Sequence, residues 1–228
     1  MAHLTPNGKI SGKCGDIVYR NVGGKTVICS RPGPQKKSTD PNVIARRNRF
    51  KLAAKLSSAL GRIPVMKCIW NQFGLKRNTS AYSKMLKDFH SLIGIGDIPE
   101  TFRMGPALAN MWVEPAEFKQ ENDKLTAEIQ IENNNSGLEN LESVQMVVLM
   151  FLKDPIDYNM LEYSIIALAS EETKYAANEK MKFDVALVGD VEDYIKMYDA
   201  RKFFCLFAGF DENHKLVGYS NTLCKKFS

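Results

Sequence analysis

Histidine is scarce: only His3, His90 and His214 occur in 228 residues. None has a cysteine or carboxylate near it at metal-ligand spacing, and no stretch matches an HExxH helix or a nucleophile elbow. The five cysteines, Cys14, Cys29, Cys68, Cys205 and Cys224, are odd in number and form no CxxC pair. That speaks against a disulfide framework and fits a reducing compartment. Cys29, in an apolar strand pattern, and Cys205, in FFCLF, read as small buried hydrophobes. Long apolar runs are missing too: nothing approaches the roughly 20 residues of a membrane span, and the N-terminal MAHLTPNGKISGK has no signal-peptide h-region. The expectations are no catalytic residue, no metal, no cofactor, no membrane span, and a location in the cytoplasm or within an assembled particle such as a virion.

Acid is nearly missing from the first 87 residues. Asp16 and Asp40 stand there against 18 Lys/Arg, a balance of +16, whereas residues 88–228 balance at −11. A basic N-terminal part favours polyanions or an acidic protein face, and an acidic C-terminal part favours solubility.

What is present begins with a hairpin pattern. Ile17, Val18 and Tyr19, then Thr26, Val27 and Ile28, flank Gly23-Gly24, the pair a tight turn needs. An isolated two-stranded hairpin is marginal in water, so it needs a surface to lie on. A proline-bounded linker carrying Lys36 and Lys37 follows, and Asp40-Pro41 supplies an N-cap with Pro at the first helical position.

The helix predicted from there runs to about Leu60. Val43, Phe50, Ala54 and Leu60 are its expected apolar face; Arg47, Lys51 and Lys55 recur at i, i+4 and i+8, and Arg46 and Arg49 widen that stripe. With Lys36 and Lys37 these are the expected partner or nucleic-acid contacts; a solvated helix face is the plainer alternative. A second short helix is expected from Ile63-Pro64 through Trp70, and a third after Ser80, where Tyr82, Met85, Leu86, Phe89 and Leu92 repeat with helical spacing and read as core. Gly8 to Lys13 superficially suggests a phosphate loop, but only three residues separate Gly8 from Gly12 and Cys14 follows Lys13, so the pattern fails.

Beyond residue 100 the period changes. Leu125, Ala127, Ile129 and Ile131 alternate with polar residues, and 133–137 form a turn cluster. Further strands are expected at 144–152, 162–169, 182–188, 202–209 and 216–223, with one near 107–113. The fold class is therefore α+β: an N-terminal β-hairpin plus short basic helices over 1–100, and a C-terminal immunoglobulin-like antiparallel β-sandwich over 101–228.

In order, SGKCGDIVYRN, GGKTVICSRP, RRNRFKLAAKL, NTSAYSKMLKDF and FAGFDENHKLVGYSNTLC resemble, over nearly the whole chain, a domain-of-unknown-function family abundant in Bacteroidetes and related bacteria. The resemblance implies the two-part layout and no reaction. The functional expectation is a non-enzymatic structural or assembly protein, a phage virion, tail or filament component, whose basic N-terminal half docks onto an acidic neighbouring subunit in a homo-oligomer or larger assembly. The alternative is a sequence-tolerant nucleic-acid-binding protein using the helix from Arg46 to Lys55. A surface-binding sandwich has only Trp112 and scattered tyrosines behind it, and these read as core.

Overall fold

The computed structural model describes residues 2–6, 8–22, 25–31, 33, 38–74, 79–121, 123–131, 138–177 and 179–227. The chain divides into two compact units, Met1–Ile44 and Ala45–Ser228. The architecture is α+β, and every strand ladder among the described residues is antiparallel.

The first unit holds a four-stranded sheet in chain order: β1 (His3–Leu4), β2 (Ile10–Cys14), β3 (Ile17–Val22) and β4 (Lys25–Ser30). The expected hairpin is β3–β4, paired from Ile17↔Ser30 to Val22↔Lys25; its Gly23-Gly24 turn lies outside the described residues. The strand β2 goes beyond the sequence expectation and depends on Gly15. Cys14 pairs with Ile17, and Gly15 at φ 57° takes the first position of that two-residue link, where a type II′ turn needs a positive φ.

Strand alternation sorts this sheet into unlike faces. Leu4, Ile10, Ile17, Tyr19 and Ile28 share a face with no charged residue, while Lys13, Arg20 and Lys25 share the other with Val18, Val22, Val27 and Cys29. Among the described residues of this unit Val18 is the one buried apolar side chain; Leu4, Val22 and Ile28 are 72%, 62% and 63% exposed. A sheet of this kind has no core of its own.

Helix α1 (Pro41–Leu60) starts as the sequence predicts. The Asn42 N–H donates to Asp40 Oδ1 at 2.8 Å, and Pro41 occupies the first turn, where its missing N–H has no partner to lose. Helices α2 (Pro64–Gln72) and α3 (Ala81–Leu92) follow, the latter capped by Ser80 Oγ, which accepts from the Ser83 N–H at 3.2 Å.

The strands of the second unit form two sheets. One has β7 (Ser143–Pro155), β8 (Tyr163–Lys174), β10 (Tyr198–Phe210), β11 (Leu216–Tyr219) and β12 (Leu223–Phe227), ordered β11-β10-β7-β8 with β12 also on β10. The other is β5 (Val113–Glu121), β6 (Lys124–Ile131) and β9 (Lys180–Ala186). A short helix, α4 (Val191–Lys196), precedes β10.

Strands β7 and β10 are near-continuous apolar runs because both faces of their sheet are covered. Val147, Leu149, Phe151, Phe204 and Leu206 face the helices, packing with Leu52, Leu56, Met66, Trp70, Met85 and Phe89. Val148, Met150, Phe203, Cys205 and Phe207 face the smaller sheet, packing with Leu125, Ala127, Ile129, Phe183 and Val185. The division between compact units falls at Ile44/Ala45, and the helices share a core with the strands. One local expectation also shifts: the strand expected near 107–113 begins only at Val113, as β5.

Candidate interaction surface

The basic residues of α1 separate into two groups. Leu52, Ala53, Leu56, Ser57 and Leu60 are its buried residues. Arg49 lies three and four residues before Leu52 and Ala53, so it belongs to that inward face, and its Nε is buried without a hydrogen-bond partner. Lys55 is half-buried, its Nζ 4.4 Å from the centre of the Tyr163 ring at the start of β8. Arg46, Arg47 and Lys51 are exposed. Lys36 and Lys37 lie outside the described residues.

The expected apolar face of α1 is corrected in the same way. Phe50 is 54% exposed, standing among Arg46, Arg47 and Lys51 on the outer side with its ring 6.4 Å from that of His90. Val43 and Ala54 are half-buried; of the four expected residues only Leu60 is fully buried. The helix thus presents exposed cations around an exposed aromatic ring.

Two further cations adjoin this helix without a signal in the sequence pattern. Arg62 and Lys67 line a cleft of about 540 Å³ with Ser57, Asn71, Ser80 and Tyr82, and among the described residues no acidic side chain lines it. Their isolated positions in the chain gave no stripe to read; the packing of α2 and α3 against the end of α1 brings them together.

Several other polar groups tie neighbouring elements together. Lys84 is buried, and its Nζ donates to the carbonyls of Trp70 at 3.0 Å and Asn71 at 3.5 Å, taking up orphan acceptors at the end of α2. Lys202 Nζ donates to Asp97 Oδ1 and to the Ile98 carbonyl, each at 2.8 Å. His214 Nδ1 lies 3.2 Å from Glu172 Oε2 in an exposed pair. Trp70, rather than Trp112, is the buried indole: its Nε1 donates to the Met104 carbonyl at 3.0 Å, whereas Trp112 is 63% exposed. Among the described residues no helix is long and apolar enough to cross a membrane.

No protein-family model matches the sequence, and no curated protein matches it. Among solved structures the chain is similar to a β-glucosidase from Kluyveromyces marxianus. The selenomethionine form matches at 12% identity and a TM-score of 0.25 over 69% of this chain, and the glucose complex at 15% and 0.24 over 59%. The chain spans only 16% and 15% of the length of those two structures.

Proposed function

We propose that this chain is a non-enzymatic structural or assembly protein of a virion, tail or filament, whose basic N-terminal part docks onto the acidic surface of a neighbouring copy. The observation behind this reading is the coreless sheet of Met1–Ile44: four strands with Val18 as the one buried apolar side chain among the described residues. A sheet face that large is stabilised when another surface covers it. The charge balance of +16 over residues 1–87 and −11 over the rest makes contact between unlike parts of two copies favourable, and head-to-tail contacts of this kind close into rings or grow into filaments. We further infer that β5 to β12 form an immunoglobulin-like sandwich. The order β5-β6-β9 against β8-β7-β10-β11, with Met111 bridging Ser220 in parallel, supports that topology. Electron micrographs of the purified full chain at low salt test the assembly reading: rings or filaments are expected, and a field of isolated single particles would contradict it.

The second reading is sequence-tolerant nucleic-acid binding, supported by the exposed Arg46, Arg47 and Lys51 and by the acid-free cleft at Arg62 and Lys67. If three cations contact phosphates, the log–log salt slope on duplex DNA is roughly −3. Anisotropy titration of a labelled duplex reads it; no binding at low salt removes this reading.

A further inference from the structure

We propose that the outer edge of β4 pairs with β4 of a second copy of this chain, joining two N-terminal sheets into one continuous antiparallel sheet. This rests on the reading of the chain as self-assembling and names the contact that does it.

The backbone direction at this edge follows from one bond. The Arg31 N–H donates to the Asp16 carbonyl at 2.6 Å, so Asp16 and Arg31 form a hydrogen-bonded pair. Counting by twos along the ladder, Lys25, Val27 and Cys29 turn their main-chain groups toward β3, while Thr26, Ile28 and Ser30 turn theirs outward. Strand β4 ends its sheet, so among the described residues no strand receives those groups.

Other edges of the molecule are blunted in the ways that prevent such pairing. Strand β1 is two residues long, β5 is interrupted by a register shift between Pro115 and Glu117, β9 carries Lys180 and Lys182, and β12 carries Lys225 and Lys226. Strand β8, the other long edge, is half-buried from Ser164 to Leu168 and ends with Glu171, Glu172 and Lys174. Strand β4 carries one such charge, Lys25 at its first residue; from Thr26 to Ser30 it is uncharged, with Val27 45% and Ile28 63% exposed.

Self-complementarity points to a second copy as the occupant. A two-fold axis normal to the sheet sets one residue opposite itself, and registers centred on Val27 or Ile28 both bring the outward groups together. The Ile28 register places Lys25 opposite Arg31 of the other copy at both ends, and like charges directly opposite destabilise a pair. The Val27 register places Lys25 opposite Cys29 instead, and lets Thr26 of each copy exchange both main-chain bonds with Ile28 of the other. Charge therefore selects Val27 as the centre. One strand pair falls below the roughly 1,200 Å² of a standard stable interface, so the contact is weak alone and is best read by trapping.

In the Val27 register the two Val27 residues form a non-hydrogen-bonded pair with Cα atoms about 4.5 Å apart, within disulfide range. The test uses the full chain with Cys14, Cys29, Cys68 and Cys224 changed to Ser, carrying Val27→Cys or Ile28→Cys, oxidised mildly with oxidised glutathione and run on a non-reducing gel. Val27→Cys is expected to give covalent dimer at least about tenfold faster than Ile28→Cys, whose residues face Thr26 and lie beyond the ~7 Å limit. Adding Ile28→Pro, which removes an outward N–H and leaves the β3 ladder bonds, should abolish the dimer while far-ultraviolet circular dichroism stays unchanged. Val27→Cys that cross-links no faster than Ile28→Cys overturns the proposal. If that happens while the chain still grows at low salt, edge pairing fails and charge-driven docking stands. If the chain is monomeric at low salt but Val27→Cys traps, docking fails and the edge stands.

Discussion

Lys55 Nζ lies 4.4 Å from the centre of the Tyr163 ring. A lysine that continues a basic stripe in the sequence is, in the fold, a cation–π tie between α1 and β8. Lys55→Met keeps the stem and removes the charge, and is expected to lower the unfolding free energy by about 0.5–1 kcal/mol. Urea titration measures it, with Lys55→Arg expected near the native value; an unchanged midpoint for Lys55→Met would show that the contact contributes nothing.

Phe102 bridges the helices and the large sheet. Its ring centre is 5.1 Å from that of Phe89 on α3 and 5.5 Å from that of Phe204 on β10, both edge-on, and it is 1% exposed. Phe102→Ala should cost about 3–5 kcal/mol through lost transfer and a cavity. Because α1, α2 and α3 share this core, their helical signal should melt together with the strands in one transition. A variant whose helices melt first would mean the helices form a separate domain.

Tyr219 sets an alkaline limit. Its hydroxyl donates to the Leu108 carbonyl at 2.6 Å, and burial pushes its pKa up to about 12. A raised folded pKa means the contribution is complete below the ordinary tyrosine value near 10 and is lost as pH rises from there toward 12. Tyr219→Phe should lower stability by about 0.5–1.5 kcal/mol at neutral pH and flatten the decline above pH ~10. Denaturation followed across alkaline pH checks both; an equally steep decline in the variant would assign it to another group.

The thiols should react in a set order. Cys14 and Cys68 are exposed, Cys29 and Cys224 half-buried, and Cys205 buried with its thiol pKa well above the ordinary value because of desolvation. Thiolate is the reactive form, so a thiol reagent should modify Cys14 and Cys68 first and Cys205 only on unfolding. Mass mapping of labelled peptides over time reads the order; early modification of Cys205 would contradict its burial between the sheets.

Much of the local structure was legible because single residues decide it: Asp40-Pro41 and Ser80 mark the starts of α1 and α3, whereas the turn at Gly15 shows only in its φ. The apolar runs of β7 and β10 were legible as strands. What covers each face was not, because a two-sided run carries no alternation to say which layer lies on which side. The stripe on α1 misled for a related reason. Leu52, Ala53, Leu56 and Leu60 have a helical phase that includes Arg49, but the i, i+4 spacing of Arg47, Lys51 and Lys55 suggested a basic face to which Arg49 and Lys55 could be added. Arg62 and Lys67 had no periodic signal at all; only tertiary packing puts them in one cleft.

Sedimentation of the full chain over a range of concentrations, at low salt and again near 1 M, where screening acts within about 3 Å, decides whether the chain assembles through its charged surfaces. Species well beyond a dimer are expected at low salt, falling to at most a dimer at high salt, with the Arg46→Glu, Arg47→Glu, Lys51→Glu variant losing the growth at low salt. A 25.7 kDa monomer at every salt and concentration, or a variant that grows as the native chain does, would contradict it.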